Sequence, residues 1–304
     1  GSGSTVKGSL IVNNVEYGLQ VYGSSNRILG SVLSGNLYGA YVYGSYNTLE
    51  SSEFENSMFY GIYINGSHNT ASYNTIADNG GFGVEIYGPD NTVYGNAFVN
   101  DGLYAFYPNA VENNTVNGRP LVYLYGASGV VVSNAGQVVA VDSSNIKISG
   151  LNIYNSSVGI ELLNTNSSTI DNTVVSDENY YGIYTNGTGD SLYDVNVTDS
   201  SFGIYINGSY NMVSGSYVSH TQWEGIDIYG SYNTIVGTTV TYGGLSASGG
   251  IVIDGSYNRL INSTVTDSIN PINAQYFGAV YISGSYNTLS GTSVVVNNNG
   301  DGID

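Results

Sequence analysis

The sequence predicts an all-β chain wound as a single-stranded parallel β-helix, and three observations carry that prediction. First, the phrase Gly-Ser-Tyr-Asn recurs at 44–47, 208–211, 230–233, 255–258 and 284–287, with variants at 23–26, 66–69 and 88–91. Counted on its Asn, the phrase returns every 21 or 22 residues through most of the chain, which is the signature of a repeat architecture. Second, apolar residues keep fixed places around that Asn. Two residues after it stand Ile28, Leu49, Ala71, Val93, Val213, Ile235, Leu260 and Leu289, and seven after it Leu33, Phe54, Ile76, Phe98, Val218, Val240, Val265 and Val294. Third, Pro is scarce and no 3.6-residue stripe of helical length occurs, whereas period-2 runs such as Ile62-Tyr63-Ile64 and Ile204-Tyr205-Ile206 read as strands.

Each unit then resolves into three short strands and three turns. The repeated Asn predicts an internal ladder at Asn26, Asn47, Asn69, Asn91, Asn211, Asn233, Asn258 and Asn287, with Asn113 continuing it and Asp190 substituting. Each amide would bond to the next and to turn backbone otherwise buried without a partner. Eight residues before the Asn stands a Gly (Gly18, Gly39, Gly61, Gly83, Gly203, Gly225, Gly250), expected to supply a turn conformation that other residues resist. An aromatic precedes many of these (Tyr17, Tyr38, Tyr60, Phe82, Tyr181, Phe202), predicting a second stack. About 12–13 rungs at the strand spacing give a rod of roughly 60 Å. Residues 1–304 read as one β-helix domain, with 114–145 as an enlarged rung or β-hairpin within it.

Composition excludes several functions. Charged residues make up 9% of the chain, and 23 acidic against five basic residues set the net charge at −18, so nucleic acid is a poor partner. No apolar run approaches the ~20 residues of a membrane-spanning helix. With no Cys there is neither a disulfide nor a thiolate ligand. Low charge, 30 Tyr and abundant Asn suit an extracellular or cell-surface protein.

The repeats resemble those of right-handed parallel β-helix proteins of the pectin-lyase-like group. They are most similar to repeats shared by carbohydrate-binding proteins and sugar hydrolases and to NosD-type copper-binding maturation proteins. The stretch NTVNGRPLVYL (114–124), followed by AGQVVAVDSSNIKISGLNI (135–153), is the part that most specifically resembles the group. The resemblance implies the handedness of the coil. It does not bring a chemistry, because the polygalacturonase-like Asn-Thr-Asp, Asp-Asp, Gly-His-Gly and Arg-Ile-Lys motifs are absent, Arg27 and Arg259 follow ladder Asn residues and read as repeat variants, and Arg119 falls in the Gly-Arg-Pro block of the group, where the resemblance implies a structural role. Copper would require His, Met or Cys, of which the chain has His68, His220, Met58 and Met212; His68 occupies a place filled elsewhere by Tyr46 and Tyr210, so it reads as a stacked ring. No cofactor, metal or catalytic residue is expected, and the chain does not read as an enzyme.

Three surface features remain. The outward position of the strand after the Gly reads Gln20, Tyr41, Tyr63 and Glu85, then Glu161, Tyr184, Tyr205 and Asp227, a row suited to stacking on sugar rings and bonding their hydroxyls. Insertions at 241–249 and 266–277 are expected to gather Trp223, Glu224, Tyr242, Asp267, Tyr276 and Phe277 on one edge as a glycan or partner patch. Asn65, Asn113, Asn155, Asn166, Asn186, Asn196, Asn207 and Asn262 precede X-Ser/Thr and are N-glycosylation candidates, with Asn65, Asn186 and Asn207 expected in equivalent exposed turns.

The chain opens directly into a rung, with Ser4 at the ladder position and Val6 and Ile11 at the apolar ones, and the tail after Asn287 joined to such a head amounts to about one rung. The leading expectation is therefore a structural surface protein that assembles head-to-tail into filaments, with Ser4, Val6, Ile11, Val294 and Ile303 at the subunit contact. The alternative is a carbohydrate-binding or polysaccharide-processing module. Copper handling is a third reading, disfavoured by the scarcity of ligands.

Overall fold

The computed structural model describes residues 1–244, 249–268, 278–296 and 301–304. They form a parallel β-solenoid, and no helix occurs among them. Contacts group the chain into two compact units. Unit 1 comprises Gly1–Tyr125, Asn134–Val141 and Asn155–Val158, and unit 2 comprises Gly126–Ser133, Asp142–Tyr154 and Gly159–Asp304.

In unit 1 each rung contributes one strand to each of three sheets. The strand after the ladder Asn builds a six-stranded sheet from Thr5–Lys7 to Ala110–Glu112. Its register holds rung after rung: Val6 pairs with Ile28, Ile28 with Leu49, Leu49 with Ala71, and Ala71 with Val93. A second sheet stacks Ile11, Leu33, Phe54, Ile76 and Phe98 in the same way. The third, hereafter the Gly-strand sheet, runs through Tyr17–Tyr22, Tyr38–Tyr43, Ile62–Asn65, Val84–Tyr87 and Leu103–Ala105. Inward residues of all three sheets, among them Leu33, Leu49, Phe54, Ile64, Ile76 and Ile86, are fully buried and form one core. Unit 2 repeats the plan, with Ile148, Ile170, Leu192, Val213, Ile235 and Leu260 stacked in the first sheet.

The Asn ladder is present as read. Asn69 Oδ1 accepts both the backbone N–H of Asn47 at 2.9 Å and its side-chain amide at 3.0 Å, while Asn69 Nδ2 donates to Gly44 O and to Asn91 Oδ1. In unit 2 Asp190 accepts from Ser168 N–H, then Asn211, Asn233 and Asn258 continue, with Asn287 accepting from Asn258 N–H. Two further polar ladders line the other corners of unit 1. One runs Ser31, Ser52, Asn74, Asn96, Asn114, and the other includes Asn36 and the succession Ser57, Asn79, Asp101. All three exist for one reason: backbone N–H groups at the corners point along the coil axis into a dry interior and need acceptors.

Three details differ from the reading of the sequence. The ladder does not continue at Asn113, which is exposed; Asn109 takes the place, accepting from Asn91 N–H at 2.9 Å, so that this rung is only 18 residues long. The Gly eight residues before the Asn is not a left-handed turn residue. At Gly39 a Cβ would stand 2.3 Å from Gly61 O, so the position is closed by the neighbouring rung. Left-handed backbone falls instead on the residue before the Asn, at Tyr46, His68, Tyr210, Tyr232, Tyr257 and Tyr286, where φ is 58–62°. Such a φ is uncommon for a bulky side chain. It is supported by stacking: Tyr210, Tyr232, Tyr257 and Tyr286 form a column with centroids 4.9–5.0 Å apart and planes within 12°.

The interruption contains a hairpin. Thr115–Val116 pairs antiparallel with Arg119–Tyr125 across Asn117-Gly118, both at positive φ, as a two-residue type I′ turn requires. Arg119–Tyr125 then pairs in parallel with Gln137–Val141 inside unit 1. Regular rungs resume with Lys147–Ser149 in unit 2.

Candidate functional site

The outward row of the Gly-strand sheet is the first place to look, because alternation sends these side chains away from the core. In unit 1 the register aligns Gln20, Tyr41, Tyr63, Glu85 and Tyr104. Tyr41 and Tyr63 stack face to face at 4.6 Å with planes 6° apart. On one flank runs the expected second stack, Tyr17, Tyr38, Tyr60 and Phe82, with successive centroids 5.0–6.1 Å apart, and the ring of Tyr104 from the outward row stacks on Phe82 at 4.5 Å. On the other flank stand Tyr22, Tyr43 and Tyr87, all exposed.

Glu85 sits among these rings. The row was expected to face solvent, yet Glu85 is only 3% exposed. Neighbouring rings cover it, because Tyr60 from the preceding rung and Tyr87 from its own strand both donate their phenols to its carboxylate. Oε2 is buried without a hydrogen-bond partner. Desolvation lifts the carboxyl to about 7, against the two phenol hydrogen bonds that pull it down. Burial, and after it the Glu85 carboxylate, in turn raise the Tyr60 phenol well above its ordinary value. A carboxyl poised near neutrality both donates and accepts, and it has phenols on either side and no basic partner among the described residues. This arrangement suits ligands rich in hydroxyl groups.

Unit 2 has a counterpart at the same rung position. Tyr184, Tyr205, Asp227, Val252 and Tyr281 align in register, and Tyr184 stacks on Tyr205 at 5.3 Å. Asp227 is 4% exposed, and its carboxyl is raised to about 8, first by burial and then by the charges of Glu224 and Asp254. Asp227 Oδ1 and Glu224 Oε2 are buried without hydrogen-bond partners. Glu161 and Tyr184 are likewise buried rather than exposed. Glu224 stands where earlier rungs carry the aromatic of the second stack, and Trp223, one residue earlier, takes over the stacking on Phe202 at 6.1 Å.

The edge patch is therefore divided. Trp223 is 39% exposed, Tyr242 is exposed and stacks on His220 at 4.9 Å, Asp267 is half-buried, and Glu224 points into the acid pair. Tyr276 and Phe277 lie outside the described residues. His68 stacks on Tyr46 at 4.9 Å. Among the described residues no group of three or more His, Cys, Asp or Glu is arranged to hold a metal, and no helix is long and apolar enough to cross a membrane.

The glycosylation candidates are unequal. Asn113, Asn186, Asn207 and Asn262 are exposed, whereas Asn65, Asn155, Asn166 and Asn196 are half-buried, Asn196 with a buried Oδ1 lacking a partner. Asn65, Asn186 and Asn207 are strand ends rather than turn residues. Of the residues assigned to a subunit contact, Ser4 is at the ladder position, donating its N–H to Asn26 Oδ1 at 3.0 Å. Val6 and Ile11 occupy the inward positions, Val294 pairs with Val265, and Ile303 pairs with Val280.

Sequence reasoning missed one surface feature, a groove beside the 18-residue rung lined by Asp90, Pro108, Asn109, Ala110 and Tyr125. The signal was present in Asn109, read over in favour of Asn113 because the latter keeps the 22-residue step.

Comparison with solved structures finds distant similarity to the mannuronan C-5 epimerase AlgE4 A-module of Azotobacter vinelandii, with 11% identity over 95% of this chain and 90% of that one and a TM-score of 0.46. The siphovirus 9NA tailspike receptor binding domain matches at 10% identity over 97% and 76%, TM-score 0.33. A mannuronic acid specific polysaccharide family 6 lyase from human gut microbiota matches at 11% over 93% and 77%, TM-score 0.28. No curated protein sequence matches the chain. The family model of the right-handed β-helix region matches residues 17–141, 136–268 and 181–304, which together take in nearly every rung described above. The chain belongs to the right-handed β-helix family.

Proposed function

We propose that the protein is a carbohydrate-binding β-helix and that the outward side of the Gly-strand sheet in unit 1 is its binding face. One observation carries this reading: Tyr60 and Tyr63 are half-exposed beside Glu85, whose buried Oε2 lacks a donor, and Tyr38 and Tyr41 continue the face of rings one rung further on. A face of rings with phenol and carboxyl groups between them offers apolar area for the C–H side of a sugar and acceptors for its hydroxyls. Repetition from rung to rung gives equivalent contacts along an extended polymer.

Calorimetric titration of the intact protein with oligosaccharides tests the reading. Binding that is lost in Tyr41→Ala and weakened in Glu85→Gln supports it, and unchanged binding in both variants moves the site elsewhere. Head-to-tail self-assembly is the competing proposal. Light scattering of ligand-free protein over a concentration series separates the two, since growth with concentration belongs to assembly alone.

A further inference from the structure

The short rung of unit 1 leaves a mark on its surface. In the preceding rungs the residue before the ladder Asn carries a ring on the next, as in the Tyr46–His68 pair. That row then passes to Asp90, whose N–H donates to Pro108 O at 2.9 Å, and the ring column stops. What remains open is a groove of about 370 Å³ lined by Asp90, Pro108, Asn109, Ala110 and Tyr125.

The chemistry of this groove differs from that of the surrounding surface. Most strongly exposed rings among the described residues touch another ring, Tyr22 tilted against Tyr43, Tyr46 stacked on His68 and Tyr210 stacked on Tyr232 among them. Tyr125, 54% exposed, and the adjacent Tyr107, 47% exposed, carry no ring on either face among the described contacts. The Tyr107 turn is pinned from beneath: its carbonyl accepts the Tyr123 hydroxyl at 3.0 Å and the Asn109 amide at 2.7 Å, and Asn109 Oδ1 is taken by the ladder. The scaffold has thus used the amide of Asn109 and left the exposed Asp90 carboxylate beside an uncovered tyrosine face. Close to the groove in the chain, Tyr87 at the end of the Glu85 strand contacts Phe106 at 5.5 Å, two residues before the groove's Pro108.

We propose that this groove is a subsite for one neutral pyranose ring of the bound glycan, a step that rests on the carbohydrate-binding reading and adds a position and a ligand class to it. The apolar face of the sugar lies on Tyr125 and its hydroxyls donate to Asp90. The volume is near the lower end for small-molecule sites, which fits one ring rather than several. A uronate is the wrong ligand, since its carboxylate would meet Asp90 in a chain whose net charge is −18.

Titration of the intact protein with short neutral gluco-, manno- and galacto-oligosaccharides, and with oligogalacturonate of matched length, tests this. The expected result is binding of a neutral series, with the uronate series weaker. Tyr125→Ala lowers neutral affinity about three- to tenfold, Tyr125→Phe keeps it, and Asp90→Asn narrows the gap between the two series. Neutral binding that Tyr41→Ala weakens and Tyr125→Ala leaves unchanged overturns the groove while the face stands. Tighter binding of the uronate overturns the ligand class. Absence of binding by every oligosaccharide overturns the groove and the carbohydrate reading together.

Discussion

Glu85 in unit 1 and Asp227 in unit 2 occupy the same place in the rung, one residue out from the core on the Gly-strand, and they solve the burial of a carboxyl in opposite ways. Around Glu85 the neighbours are phenols, which donate hydrogen bonds and leave the group near neutrality. Around Asp227 they are two more carboxylates, whose charges add to the larger effect of burial in keeping its proton on. The scaffold beneath is the same in both, with inward Ile at the flanking positions (Val84 and Ile86, Ile226 and Ile228) fully buried or nearly so, Val replacing one of them. The lesson is that the coil dictates where a side chain emerges, and the residues flanking it on its own and an adjacent rung decide what it becomes. Tyr60 and Tyr87 make a carboxyl held by two phenol donors beneath a cover of rings; Glu224 and Asp254 make one that keeps its proton.

The largest expected effect tests whether the scaffold is common to both. Asn69→Ala in unit 1 and Asn233→Ala in unit 2 each strip an acceptor from a buried backbone N–H and leave neighbouring amides without partners. Each is expected to lower stability by about 3 kcal/mol, read as a reduced midpoint in chemical denaturation. A loss in one unit and not the other would break the equivalence on which the comparison rests.

Next comes the response to pH. Both acids have folded values raised above their ordinary ones, so the native state binds more protons than the unfolded chain, and stability falls as pH rises. The window runs from about 4.5 to about 7 for Glu85 and from about 3.8 to about 8 for Asp227. Buried Asp101, raised well above its ordinary value by desolvation, and Asp190, raised to about 6, add to the same trend. The protein is therefore expected to melt at higher temperature at pH 5 than at pH 8. Asp227→Asn should flatten the profile more than Glu85→Gln, by on the order of 1 kcal/mol or more across its window. A melting temperature that climbs from pH 5 to pH 8 would contradict the assignment of both groups.

A smaller effect separates the two faces by function. Tyr41→Ala removes a stacked ring from the open face of unit 1 and should weaken oligosaccharide binding several-fold, while Trp223→Ala in unit 2 leaves it unchanged. The reverse result would transfer the binding face to the edge that Trp223 marks. Smallest of all is Tyr232→Asn, which loses two ring contacts but places a residue tolerant of left-handed backbone at φ 62°. The opposing terms are each about 1 kcal/mol, so a melting temperature close to that of the parent is expected.

The coil itself was legible because its requirements are chemically narrow. At this corner Asn recurs in nearly every rung, its oxygen accepting from the neighbouring rung and its amide donating to turn backbone, so the phrase around Asn47, Asn211 and Asn233 announces the period. The other two ladders escaped notice because Ser, Thr, Asn and Asp share the task, as at Ser52, Asn74, Ser57 and Asp101. Glycine was noticed for the wrong reason: Gly39 is required by the carbonyl of Gly61 one turn away, a contact that no local pattern displays. The site was half legible. Alternation placed Glu85 and Asp227 on the outward row, but their burial comes from residues on flanking positions and neighbouring rungs, beyond the reach of a period of two. Tyr125 was invisible for a related reason, since its groove exists only because one rung falls four residues short of its neighbours.

The column of Tyr210, Tyr232, Tyr257 and Tyr286 has an optical consequence. Identical chromophores held nearly parallel with centroids 4.9–5.0 Å apart do not absorb independently; their excited states mix over the row. Unit 2 thus carries a reporter in its own side chains, a near-ultraviolet circular dichroism band whose strength depends on the rungs staying in register. A slip of one rung past another would extinguish that signal while leaving the far-ultraviolet signature of strands in place.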